Sequence, residues 1–175
     1  MDRRAFGTSM VAGALGLVEA PALAQPGRMG VGEMAMGPPE RRHVEDTLMI
    51  GTVSLQTSRL ALNRANRPLV RQFADFEAEE STTVAQILGE ISGMGPPPPA
   101  PADRRAMDRL ERARGAAFDR DYLLLQIDGH RRLLQVQDRY LANGRNRHHR
   151  HIAMLARGRI REHIRELELL RTIRG

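Results

Sequence analysis

The chain contains no cysteine, no tryptophan and no lysine in its 175 residues. The first absence removes disulfides, thiolate metal sites, a cysteine nucleophile and a lipid-carrying lipoprotein cysteine together. Aromatic side chains are scarce, with four Phe and two Tyr making up 3% of the chain. Leu, Ala, Ile and Met must then fill the interior, which suits helices better than sheets. With lysine missing, all 27 basic residues are Arg, and the isoelectric point lies near 11.1. Such a bias has two readings, a GC-rich genome or arginine selected for bidentate anion contacts. No Gly-x-Ser-x-Gly elbow, phosphate loop or dinucleotide fingerprint occurs, so hydrolase and nucleotide chemistry have no footing. What is present is a globular composition, 41% hydrophobic with a mean hydropathy of −0.43, of a length suited to one domain.

The chain opens Met1-Asp2-Arg3-Arg4-Ala5-Phe6 and continues with an uncharged run from Gly7 to Val18, rich in Gly and Ala. It then reaches Ala22-Leu23-Ala24. A positive start, a short apolar segment and small residues at the cleavage positions are the order of an export signal. The run falls short of the roughly 20 residues that span a bilayer as a helix. Arg3 and Arg4 resemble a twin-arginine signal, with the general secretory route as the alternative. Residues 1–24 are therefore expected to be removed after Ala24, and the mature chain to be periplasmic. Residues 25–39, rich in Gly, Pro and Met, read as a disordered linker.

From residue 40 to residue 175 the pattern is helical. Val44, Leu48, Gly51, Leu55, Ser58 and Leu62 follow alternating steps of four and three, one face of a first helix. Pro68 opens a second, which should run to about Ser92 with Leu69, Phe73, Phe76, Glu80, Val84, Ile87 and Ile91 on its buried stripe. Gly93 to Pro99 then breaks the chain with a stiff extended connection, long enough to cross a bundle. Asp103 is a candidate N-cap for a short helix through Arg114. A third long helix should start near Phe118, carry Leu123, Ile127, His130, Leu134 and Leu141 on one seam, and stop at Asn143-Gly144. Asn146 can cap a fourth, with Ile152, Ala156, Ile160, His163, Leu167 and Leu170 inward. An all-α, up-and-down four-helix bundle with one short extra helix is the economical solution.

Four segments carry a resemblance: Asn66 to Ala74, Phe118-Asp119-Arg120-Asp121-Tyr122-Leu123, His130, and Arg161-Glu162-His163-Ile164. Together they resemble a bacterial family of unknown function, the domain of unknown function 4142, whose members are labelled outer-membrane or periplasmic proteins. The resemblance covers residues 40–170 and implies a ferritin-like bundle. It departs at one place: the family carries Asp-His where this chain has Glu80-Ser81.

Glu80, His130 and His163 fall on the inward stripes of three different helices. A buried carboxylate is costly unless paired or liganded. The three could form one transition-metal site, for zinc, iron or copper, or a hydrogen-bonded polar layer that fixes helix register. A di-iron centre needs Glu-x-x-His on two helices; here that spacing is found only at Glu40 and His43, so no di-iron centre is expected. His148, His149 and His151, with Met29, Met34 and Met36 in the linker, make a second candidate metal group.

Charge is uneven. From Gln25 to Ala102 there are seven Arg against nine acids; from Asp103 to Gly175, eighteen Arg against ten acids. The basic half could meet anionic lipid headgroups or an acidic envelope protein, or be a solvated surface with ion pairs at helical spacing. Nucleic acid is not expected, since basic residues are not interleaved with aromatics. Two functions stay open: a non-enzymatic envelope protein acting by interaction, or a periplasmic metal-binding protein. No catalytic residue is assigned.

Overall fold

A computed structural model describes residues 36–173. The expected export signal, with Arg3, Arg4, Ala22 and Ala24, and the linker residues Met29 and Met34 lie outside the described residues. Among the described residues there are five helices and no strand: α1 (Pro38–Arg64), α2 (Pro68–Ser92), α3 (Pro101–Arg112), α4 (Gly115–Asn143) and α5 (Arg147–Thr172).

Proline sets three of the helix starts. It stands in the first turn of α1, α2 and α3, where its missing N–H has no intrahelical partner to lose. α1 therefore begins at Pro38, two residues before the expected boundary. The Gly37 amide donates to Glu40 Oε2 at 3.1 Å. Met36, counted with the linker, packs beside Val44, Leu48 and Leu88. In α3 the helix opens at Pro101, so Asp103 is not its cap. It sits inside the first turn, where it is buried and bound by Arg132 at 2.8 Å. The ends follow their punctuation. Gly93, with φ of 68°, ends α2 in the left-handed conformation that glycine tolerates. Asn146 Oδ1 accepts the amides of His148 and His149 at 3.0 and 3.3 Å, capping α5 as expected.

α1 pairs with α2 and with α4, and α4 pairs with α5. Cross-helix bonds fix the directions. Ser58 meets Tyr122 and His43 meets Gln137, so α1 and α4 run antiparallel. Arg131 reaches Glu168 and Arg157 reaches Asp138, so α4 and α5 do too. The extended Gly93–Ala100 connection and α3 carry the chain from one antiparallel hairpin to the other, leaving α2 and α4 parallel. The result is a four-helix bundle with one long crossover and α3 as the extra helix. No helix among the described residues is long and apolar enough to cross a membrane.

Apolar packing comes in separate groups rather than one column. The largest holds Phe73, Phe118, Tyr122, Leu123, Leu110 and Leu167, near the α1–α2 turn. Two smaller groups, around Ile50, Val136 and Ile160 and around Val44, Leu48 and Leu88, fill the rest. Buried polar side chains occupy layers along the same interior.

The α1–α2 turn is held by one buried carboxylate of α4. Asp119 accepts the Asn66 amide at 2.8 Å and the Arg67 amide at 2.9 Å. Both amides stand at the start of α2, where no helical carbonyl precedes them. Asp119→Ala is expected to destabilise the fold by about 1–3 kcal/mol, the cost of stranding such donors. Thermal unfolding checks this, and a variant melting with the parent would contradict it.

Candidate metal centre

Three side chains from three helices converge between the apolar groups. Glu77 comes from α2, His130 from α4 and His163 from α5, and all three are buried. Glu77 Oε2 lies 3.2 Å from His130 Nε2 and 2.9 Å from His163 Nδ1, and the two nitrogens are 3.1 Å apart. Ligand atoms bound at 2.0–2.1 Å around a tetrahedral ion stand about 3.3 Å from one another. The triangle therefore matches one face of a coordination shell.

The surroundings orient each of the three. His130 Nδ1 lies 2.8 Å from the Gln126 carbonyl, which can only accept, so Nδ1 carries a proton and Nε2 is left for the centre. His163 turns its Nε2 toward Glu80 Oε2, 3.5 Å away. The second oxygen of Glu77 faces Ser54 at 2.6 Å and Ser81 at 2.7 Å, both hydroxyls donating. Ser54 also lies 2.6 Å from Gln126 Oε1, so its single proton serves one acceptor at a time. Gln126 is tied back to α1 through Thr57 and Ser58. Phe73 closes the layer, its ring 5.2 Å from His163 and 6.2 Å from His130.

Electrostatics inside the cluster are reciprocal. Burial disfavours ionised Glu77, but hydrogen bonds from His130 and His163 and the charge of His130 outweigh it and hold the carboxyl below its usual range. Burial likewise opposes protonated His130, yet the bond to Glu77 and its negative charge raise the imidazole above its usual value. The cluster is thus an anionic carboxylate facing two imidazoles at one shared centre, which a proton or a metal cation can occupy.

His130 and His163 come together as their seams implied. Glu80 lies at the edge. It is ion-paired with Arg159 at 2.8 Å, its side chain is 31% exposed, and it meets only the far nitrogen of His163. The carboxylate at the centre is Glu77, one turn earlier. The difference traces to the face of α2. Its buried residues are Val70, Phe73, Ala74, Glu77 and Leu88, while Leu69 and Phe76 are about half exposed and Ile87 is exposed as well. The inward stripe is rotated by one position from the row through Leu69, Phe76, Glu80 and Ile87. A polar signal pointed to the true row, since Ser54 on α1 and Ser81 one turn on both need a buried acceptor.

His148, His149 and His151 do not converge. His148 and His151 are exposed, whereas His149 is buried against His43 and Tyr140 at the other end of the bundle. His43 stacks on Tyr140 at 4.3 Å and lies 2.8 Å from Gln137 Oε1. Glu40, the third residue of α1, is buried too. Its Oε1 accepts from Tyr140 and from the amides of Arg145 and Asn146, so it closes the α4–α5 turn and does not face His43 as a co-ligand.

Burial lowers His43, with Gln137 partly offsetting it, and burial lowers His149. These two resist protonation when folded and accept it when unfolded. Their contribution to stability is present above about pH 6.5 and lost as the pH falls through their folded values. A His43→Gln/His149→Gln variant is expected to lose less stability than the parent between about pH 7 and about pH 5. Equal slopes in thermal melts of the two proteins would contradict this.

Surface arginines of the basic half are engaged at several points, with Arg131 on Glu168, Arg139 on Asp46 and Arg159 on both Glu80 and Glu162. Exposed pairs of this kind contribute little to stability.

No curated protein and no solved structure matches the chain. A family model matches residues 26–170, which include His130, His163 and Glu77 and nearly all of the described helices. With a match over most of its length, the chain belongs to the family described as Domain of unknown function (DUF4142).

Proposed function

We propose that this protein binds one divalent transition-metal ion through Glu77, His130 and His163. The observation that carries the reading is the convergence of three donor atoms within 3.2 Å of one another in a buried layer, with the back of each ligand oriented by a second group. Two imidazoles and a carboxylate suit zinc or non-haem iron(II). Neither thioether nor thiolate is in the set, which disfavours copper(I). One carboxylate and two imidazoles make a mononuclear site, and Glu40 and His43 are spent elsewhere, so a di-iron centre is not part of the reading. The assignment is binding, without a catalytic step.

Export to the periplasm belongs to the same proposal. It is supported by Arg3-Arg4, the apolar run after them and Ala22-Leu23-Ala24. Its check is the N-terminal residue of protein recovered from the periplasmic fraction, expected to be Gln25. An uncleaved chain in the cytoplasm would contradict it.

Calorimetric titration of the metal-free protein with Zn(II) and Fe(II) tests the site. One equivalent is expected to bind, and a His130→Ala/His163→Ala double variant to bind none. Ser81→Ala, which removes one hydrogen bond to Glu77, should weaken binding by about 10–100-fold. Unchanged binding in the double variant would remove the site.

A further inference from the structure

Beside the three donors lies a cavity of about 60 Å³, walled by all four long helices. Glu77, His130 and His163 are part of its lining. The rest of the wall is mostly apolar, with Leu48, Leu55, Val84, Leu133 and Ile160. Of the polar groups there, Glu80 is ion-paired with Arg159 at 2.8 Å, Gln137 is bound to His43 and donates to Thr47 at 3.1 Å, Thr52 donates to the Leu48 carbonyl at 2.7 Å and Ser81 is bound to Glu77. The wall therefore offers few unused hydrogen-bonding groups. Sites for drug-sized organic molecules run to roughly 300–1,000 Å³, and a single water needs about 10–15 Å³ of such space. This cavity falls near the lower end and holds a few heavy atoms.

Three protein ligands leave coordination positions free on a four- to six-coordinate ion, the pattern of facial two-histidine, one-carboxylate sites. We propose that the metal held by Glu77, His130 and His163 turns its free positions toward this cavity and takes there an apolar ligand of two or three heavy atoms, in the size class of dioxygen. The inference rests on the metal reading above. Size and an apolar wall select the ligand: a small, weakly hydrated molecule fits, and an organic ring does not.

Gly51 gives a direct way to close the space. It lines the cavity, it lies within α1, and a Cβ built on it meets nothing within 4 Å. Gly51→Leu adds a good helix former and reaches into the void without replacing a metal ligand. Ala156→Leu, on α5, fills it from another wall.

The full chain is loaded with Fe(II) under nitrogen and titrated with nitric oxide, a diatomic surrogate for dioxygen, with iron–nitrosyl absorption and electron paramagnetic resonance as readouts. One nitrosyl per iron is expected, and imidazole at equal concentration should leave the spectrum unchanged. In Gly51→Leu and Ala156→Leu, Fe(II) should still bind at one equivalent while nitrosyl formation weakens at least about tenfold. Bound iron that forms no nitrosyl, or a nitrosyl formed equally well in both filled variants, would overturn the inference and leave the metal site standing. Failure of the parent chain to bind any metal would overturn both.

Discussion

Glu77→Gln is expected to abolish metal binding and to lower the stability of the metal-free fold less than Glu77→Ala, which should cost both. Glutamine keeps the shape of glutamate. Its carbonyl oxygen can still accept from Ser54 and Ser81, and its amide can donate to the bare nitrogens of His130 and His163 at the 2.9–3.2 Å that Glu77 now spans. It supplies no anionic ligand, so affinity should fall by more than the roughly 10–100-fold typical of an outer-shell change. Alanine removes the acceptor as well and takes the shared partner from Ser81, His130 Nε2 and His163 Nδ1, while Ser54 keeps Gln126. Breaking a buried charged pair costs about 3–5 kcal/mol. His130 can shed its proton once Glu77 is gone, which puts the expected loss at the lower end, about 3 kcal/mol or roughly 10 °C in melting temperature. Titration calorimetry and thermal melts on the two variants separate ligation from packing. Metal affinity that survives Glu77→Gln would place the ion elsewhere.

The same pair sets the pH behaviour of the metal-free protein. Glu77 is held below its usual value, so its contribution is present above about pH 4.5 and fades as the pH falls through its folded pKa. His130 is held above its usual value, so its contribution is complete below about pH 6.5 and fades as the pH rises through its folded pKa. Glu77→Gln removes both dependences together.

Phe73→Ala should be the most damaging change to the apolar interior, costing about 3–5 kcal/mol. Phe73 is 1% exposed and belongs to the largest apolar group. Its ring meets Tyr122 at 6.5 Å and 61°, and it also covers His163 and His130. Truncation leaves a void beside a polar layer, where water can enter and compete for the donor atoms. Both melting temperature and metal affinity are expected to fall. A loss under about 1 kcal/mol would mean that the layer collapses around the gap without strain.

Much of this fold was legible because its breaks are chemically strong. Pro68 suits only a first turn and opens α2, while the run Pro96 to Pro99 and Gly144 lie just beyond the ends of α2 and α4. His130 and His163 were legible as inward-facing polar residues because each interrupts an apolar seam of its helix. Glu77 was not. α2 carries two apolar rows of similar strength, one through Leu69, Phe76 and Ile87 and one through Val70, Ala74 and Leu88. Hydrophobicity favours the first, yet the bundle buries the second, together with Phe73 and Glu77. The choice is made by α1 and α5 together, which no single-helix pattern contains. The His43–Tyr140–His149 group was hidden for a related reason: it forms where the ends of three helices meet around the Glu40 carboxylate.

The central claim is that Glu77, His130 and His163 are ligands of one ion. The most direct test is a crystal structure of the metal-loaded protein with anomalous data at the absorption edge of the metal. The account predicts a single peak about 2.0–2.2 Å from Glu77 Oε2, His130 Nε2 and His163 Nδ1, with His130 Nδ1 still on the Gln126 carbonyl. A loaded protein whose only peaks lie at surface histidines such as His148 or His151, with the buried triangle unchanged, would contradict it.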